Sequence, residues 1–201
     1  MTFVGSAASA AQFPQDGLPE VAFLGRSNVG KSSLLNALSG TRNLARVSST
    51  PGRTRLLNFF RVGDLDAKPD DAFYFVDLPG YGYARVPEAM RREWESLVSA
   101  YLVGREPLAL CVFLVDLRHD PSEGDETLRA YLDHYRLQYV VAATKADKLG
   151  RGEAMKRRDA LARGIGRNAV GVVAVSAEDG AGLAELWKTI RAAVPSTKGK
   201  A

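Results

Sequence analysis

The stretch Gly25-Arg26-Ser27-Asn28-Val29-Gly30-Lys31-Ser32 decides the fold of this chain. It is a glycine, four residues, then Gly-Lys-Ser, placed directly after the apolar run Val21–Leu24. Directly after it comes Ser33-Leu34-Leu35-Asn36-Ala37-Leu38, which has the spacing of an amphipathic helix start. Gly25 and Gly30 permit backbone angles closed to other residues, so successive N–H groups can turn inward as a concave nest for anions. Lys31 adds a full positive charge near the β- and γ-phosphates of a nucleotide, and Ser32 offers a hydroxyl to Mg²⁺. The following helix points its N-terminal dipole at the anion. A glycine-rich turn that matches so short a pattern by chance is the bland alternative. The order strand, loop, helix favours a nucleotide-phosphate site.

Composition bounds what surrounds this loop. The 201 residues, 46% of them hydrophobic, suit one domain of roughly 150 to 200 residues. We expect an N-terminal extension over 1–18, the domain over 19–195 and a disordered Lys/Gly/Ala tail over 196–201. The single cysteine, Cys111, lies in the apolar run Leu108–Val115 and cannot form an intrachain disulfide, so it is read as core packing. No stretch approaches the ~18 uninterrupted apolar residues of a membrane span. The opening Met1–Ala11 lacks the basic start of a secretory signal, and the expected location is cytoplasmic. The net charge of +4 says little by itself, but its distribution says more. Thr41–Gly63 holds five arginines (Arg42, Arg46, Arg53, Arg55, Arg61) and no acid, and a second basic cluster runs through Arg151, Lys156, Arg157, Arg158, Arg163 and Arg167.

Apolar runs at Val21–Leu24, Leu56–Phe60, Phe73–Val76, Leu108–Val115, Tyr139–Ala143 and Val170–Val175 predict six strands. Continuous rather than alternating hydrophobicity suits strands covered on both faces, as in a mostly parallel sheet between helical layers. Helices are predicted at about 31–39, 88–103, 122–135, 151–164 and 181–193. No helix fits between the strands at 55–62 and 72–76. They therefore form a hairpin, giving one antiparallel edge strand on an otherwise parallel sheet. The predicted class is a three-layer α/β domain.

Three further motifs follow strand ends, where the ligand crevice of an open α/β sheet lies. Asp77-Leu78-Pro79-Gly80 closes the strand Phe73–Val76 and puts Asp77 where it can support Mg²⁺ through a water, and Gly80 where its N–H can sense a γ-phosphate. Thr144-Lys145-Ala146-Asp147 closes Tyr139–Ala143. A carboxylate at Asp147 accepts hydrogen bonds from N1–H and the 2-amino group of guanine, whereas adenine has neither donor and would leave it unpaired, a penalty reaching factors of ~10⁴. Ser176-Ala177 closes Val170–Val175 and can support the base through backbone N–H groups. Alone, each motif also fits an ordinary turn; in this order they make guanine the base.

The order of these elements resembles the P-loop GTPase superfamily, and the strings GRSNVGKSSLLNAL, STPGRTRLLNFF, DLPGYGYA and TKAD resemble the EngB family of bacterial GTPases over about residues 17–195. The resemblance implies a Ras-like fold and GTP hydrolysis with Mg²⁺. It also implies a role in assembly of the large ribosomal subunit and a requirement in cell division and septation. The nucleotide-binding set it implies is the phosphate loop Gly25–Ser32, then Gly52, Arg53, Thr54, Arg55 and Leu56, then Asp77, Leu78, Pro79 and Gly80. Thr144, Lys145, Ala146 and Asp147 follow, with Val175, Ser176 and Ala177. Lys31, Thr54 and Gly80 are the implied catalytic groups; Ser32 and Thr54 are the implied Mg²⁺ ligands, with Asp77 acting through water. Lys145 would lie against the base and the phosphate loop.

Two residues depart from the Ras pattern. Tyr81 stands where the glutamine that orients the attacking water would be, which predicts intrinsic hydrolysis at or below the ~10⁻⁴ to 10⁻³ s⁻¹ of an unassisted Ras-type enzyme. Thr144 stands where asparagine is more usual, and its hydroxyl can still tether the phosphate loop. Asn28 has two readings: a K⁺ ligand that supplies the missing positive charge, as in potassium-activated GTPases, or a residue that favours the loop turn. The arginines flanking Thr54 are read as ribosomal RNA contacts against a background of ordinary solvated charge. Tyr81, Tyr83 and Arg85 either stack on RNA bases or pack their segment against the domain. His119 and His134 have no metal-ligand spacing. The alternatives are a GTP-sensing binding module with negligible turnover and an ATP-dependent P-loop enzyme. The chain is expected to be monomeric, with GTP, GDP and large-subunit ribosomal particles as partners.

Overall fold

A computed structural model describes residues 1–41, 44, 56–63, 72–81 and 88–194, with side chains omitted over 88–94. Its sheet comprises β1 (Thr2–Ala7), β2 (Glu20–Gly25), β3 (Leu57–Val62), β4 (Phe73–Asp77), β5 (Leu108–Asp116), β6 (Tyr139–Thr144) and β7 (Ala169–Ala174). The helices are α1 (Lys31–Ser39), α2 (Glu88–Leu102), α3 (Glu123–His134), α4 (Arg151–Gly164) and α5 (Leu183–Ala193). Strand order is β1-β3-β4-β2-β5-β6-β7, with β1 antiparallel to β3, β3 antiparallel to β4 and the other neighbours parallel.

Alternation along the strands divides the core into two layers. On β2, Ala22 and Leu24 face one cluster with Tyr74, Val76, Phe113 and Val141, closed by Leu97 and Tyr101 of α2 and Leu132 of α3. Val21 and Phe23 face the other with Phe73, Phe75, Val112 and Leu114, closed by Leu34, Leu35 and Leu38 of α1 and Leu186 and Ile190 of α5. Both faces of β2 are therefore covered, and its burial is complete along its length, as the continuous apolar run requires. Cys111 is fully buried within the first cluster.

The sheet differs from the sequence expectation at one edge. The hairpin of β3 and β4 forms as expected, but β1 pairs outside β3, so the sheet has seven strands and β1 is the edge. Thr2–Ala7 is short, half glycine and small residues, and exposed over most of its length, so it carries no apolar run to announce it. It is held by the β3 ladder, by Phe3 against the Phe60 ring at 5.6 Å, and by Ser6 Oγ donating to Asn58 Oδ1 at 2.6 Å. Behind it, Phe13 packs edge-on to Tyr101 at 5.5 Å. Arg105 stacks over Phe13, donates to the Pro14 carbonyl at 2.6 Å, and pairs with Glu20 at 2.5 Å. Glu20 is fully buried and also accepts from the Tyr101 hydroxyl at 2.8 Å. No helix among the described residues is long and apolar enough to cross a membrane.

Candidate functional site

β2 neighbours β4 on one side and β5 on the other; from β2 the chain passes to β3 on the β4 side, whereas from β5 it passes to β6 on the opposite side. The carboxyl ends of β2, β4 and β5 therefore open into a crevice, and the predicted loops gather there. The phosphate loop turns through two left-handed positions, Asn28 (φ 62°) and Gly30 (φ 106°), before α1 begins at Lys31. A Cβ at Gly25 would lie 2.9 Å from the Leu114 carbonyl oxygen, so the loop can descend onto β5 only with glycine there. Asn28 is exposed, and its left-handed backbone is one that asparagine tolerates better than most residues, which accounts for its turn reading.

Lys31 Nζ donates to Asp77 Oδ1, both side chains being largely buried. The lysine of the phosphate loop and the carboxylate at the end of β4 thus converge from positions 46 residues apart. Leu78 N–H donates to the Phe23 carbonyl at 3.1 Å, and Gly80 lies against Ser27, where a Cβ would come within 3.1 Å of the Ser27 nitrogen. Tyr81 forms a bridge with Arg26.

The loop after β6 joins the phosphate loop through two side chains. Thr144 Oγ1 donates to the Val29 carbonyl at 2.7 Å, and Lys145 Nζ donates to the Asn28 carbonyl at 2.9 Å. Lys145 itself takes a left-handed turn (φ 61°) that opens the one-turn helix Ala146–Lys148 carrying Asp147. Ala146 N–H donates to the Val175 carbonyl at 3.2 Å, which sets the end of β6 beside the end of β7. There Ser176 is fully buried. Its Oγ accepts from Glu178 and Asp179 N–H at 3.1 and 3.2 Å, and its own N–H donates to the Ala181 carbonyl at 2.9 Å. The ammonium of Lys148 beside Asp147, at 2.9 Å, draws that carboxyl below its ordinary value; partial desolvation opposes this and the Ser176 hydroxyl adds to it. Asp147 is therefore ionised, the form that accepts two donors.

Gly52, Arg53, Thr54 and Arg55 lie outside the described residues, as do Arg42, Arg46, Tyr83, Arg85 and the tail over 196–201; Leu56 is described and exposed. His134 packs edge-on to Tyr135, and among the described residues no group of three potential ligands surrounds a metal site. Sequence reasoning missed Asp116. Its Oδ2 pairs with Lys145 at 2.9 Å and with Arg118 at 2.8 Å. Burial alone would raise its pKa, but the Arg118 guanidinium and the Lys145 ammonium outweigh burial and hold it well below the usual carboxylate range. Asp116 ends β5 as Asp77 ends β4; a carboxylate at a strand's carboxyl end was the available signal.

Solved structures with the same architecture include a crystal structure of a probable GTP-binding protein engB, at TM-score 0.64 and 21% identity, covering 87% of this chain and 98% of that one. Another is Era in complex with MgGDPNP and a segment of 16S ribosomal RNA, at TM-score 0.73 and 26% identity, covering 89% of this chain and 57% of that one. Fold and loop arrangement together define a Ras-like P-loop GTPase domain. The family model described as "50S ribosome-binding GTPase" matches residues 20–145. Relatives named "Probable GTP-binding protein EngB" are 48% identical in Symbiobacterium thermophilum, over 94% of this chain and 93% of the relative, and 46% identical in Syntrophus aciditrophicus, over 95% and 93%. The chain belongs to the EngB family of GTP-binding proteins.

Proposed function

We propose that the chain is a GTP-dependent switch with slow Mg²⁺-dependent hydrolysis, acting in the cytoplasm in assembly of the large ribosomal subunit and needed through that role for cell division and septation. The observation that carries the guanine-nucleotide part is the pair of bonds from Thr144 and Lys145 to the phosphate loop. They bind the base-reading segment to the phosphate-reading segment, so that one nucleotide can span both. The order of residues is then guanine at Asp147 with Ser176 and Ala177 behind it, and phosphates at the phosphate loop.

Hydroxyls from Ser32 and Thr54 and a carboxylate from Asp77 are hard oxygen donors of the kind Mg²⁺ takes. The Lys31–Asp77 contact supports this fit, because it brings the Asp77 carboxylate to the mouth of the phosphate loop. When bound there, Mg²⁺ would neutralise charge on the β- and γ-phosphates. Lys31 and the loop N–H groups stabilise the same charge, Gly80 N–H serves the γ-phosphate, and catalysis is positioning and electrostatics. No carboxamide follows Gly80, so turnover is slow without an added group. The ribosomal part rests on the family description and on the arginines of Thr41–Gly63.

Co-sedimentation with ribosomal subunits tests it: particles retain the protein with a non-hydrolysable GTP analogue and release it with GDP. Retention that ignores the nucleotide would refute the switch. Competition between ATP and GTP for the site excludes or establishes an ATP-dependent enzyme, and single-turnover hydrolysis with and without particles separates a slow hydrolase from a binding module.

A further inference from the structure

Tyr81 is fixed at both ends. Its carbonyl accepts from the Ser27 N–H at 2.9 Å and from Ser27 Oγ at 3.0 Å, and its N–H donates to the Gly25 carbonyl at 3.3 Å. The main chain is thereby closed onto the phosphate loop. The side chain leaves that loop for α3, where the phenol donates to Asp125 Oδ1 at 2.5 Å. The ring lies over Gly124, at which a Cβ would approach Tyr81 Cε2 to 3.0 Å. Asp125 is itself held: Oδ2 accepts from the Ser122 N–H at 2.7 Å and the Ser122 hydroxyl at 2.6 Å, in the capping box that starts α3. Burial, then the bond to Asp125, push the Tyr81 phenol far above its ordinary value, so the hydroxyl stays a donor.

We infer that Asp125 is a positioning residue for recognition of the third phosphate: through the Tyr81 hydroxyl it holds the segment Asp77–Tyr81 down on the phosphate loop, with Gly80 against Ser27. The inference rests on the reading of this crevice as a GTP site. A nucleoside triphosphate needs Gly80 N–H in place, and a segment already anchored at α3 loses little conformational freedom when the γ-phosphate arrives. A nucleoside diphosphate makes no use of Gly80, so the anchor adds nothing to its binding. The device therefore discriminates triphosphate from diphosphate through a residue that touches neither.

Calorimetric titration with GDP and with a non-hydrolysable GTP analogue tests this on wild type, Tyr81→Phe, Asp125→Ala and the double variant. Each single variant should bind the analogue about tenfold more weakly, with GDP affinity unchanged, and the double variant should be no weaker than either single. A general loosening of structure would weaken both nucleotides. Equal weakening of both, additive effects, a shift in only one single variant, or no shift overturns the inference. A wild type that binds neither nucleotide overturns the GTP reading beneath it. Asp125→Ala also breaks the α3 capping box; Tyr81→Phe leaves that box intact and decides the question if Asp125→Ala fails to fold.

Discussion

At the scale of single residues, the proposed GTP reading gives Asp147 the choice of base. Its two oxygens match two donors on guanine, and a carboxamide would present a donor to a donor. Asp147→Asn should weaken GTP by about 10²-fold or more and shift preference toward xanthine nucleotides, which carry an oxygen in place of the 2-amino group. A nucleotide displacement assay measures both. Asn28 is the residue with two open readings. Under the K⁺ reading, turnover is faster in KCl than in NaCl and the difference vanishes in Asn28→Ala; equal rates in the two salts leave the residue to its left-handed turn. Asp147 was legible from spacing alone, because four adjacent residues after a strand contain the chemistry. Asp116 was not read, since its two cationic partners, Lys145 and Arg118, meet it only when β5 and β6 lie side by side.

At the scale of elements, the joint between β7 and α5 and the joint between β2 and α2 carry the largest consequences. Gly182 begins α5 with φ 72°, and a Cβ there would fall 2.0 Å from the Ala174 carbonyl oxygen. Gly182→Ala must displace backbone, not a flexible side chain. It should disturb the Ser176–Ala181 turn and reduce guanine nucleotide affinity while the melting transition remains cooperative. At the other end of the sheet Glu20 has its charge met by Arg105 and Tyr101 in the interior. Arg105→Ala leaves that buried carboxylate without its cation, with the Tyr101 hydroxyl still donating to it, and should lower stability by about 3 kcal/mol, read by urea unfolding. Strand and helix positions were visible in the sequence to within a residue or two, because continuous apolar runs mark covered strands and the stretches between them hold the helices. The strand Thr2–Ala7 was not visible. Its stability comes from the β3 ladder and from Phe60, partners that local composition does not reveal.

At the scale of the whole molecule, a charged lattice links the carboxyl ends of the strands: Asp116 to Arg118 and Lys145, Lys145 to Asn28, Thr144 to Val29, and Lys31 to Asp77. Because the folded state holds Asp116 well below the ordinary carboxylate value, the stability it contributes is complete above that value. It is lost as pH falls below about 4. Acid unfolding should accordingly become shallower in Asp116→Asn, with a midpoint at or above the wild-type pH, measured by circular dichroism, because the variant already lacks this contribution near neutral pH, where Lys145 loses its charged partner. The sequence by itself determined the class of fold and the phosphate loop, and it placed the motif Thr144–Asp147 at a strand end, since each is a local pattern of neighbouring residues. Only the tertiary structure decided which distant groups meet: Lys31 with Asp77, Asp116 with Lys145, Tyr81 with Asp125, and β1 with β3. Contacts of that kind depend on strand order and register, which the sheet fixes through burial shared among all its strands and no short stretch of chain encodes.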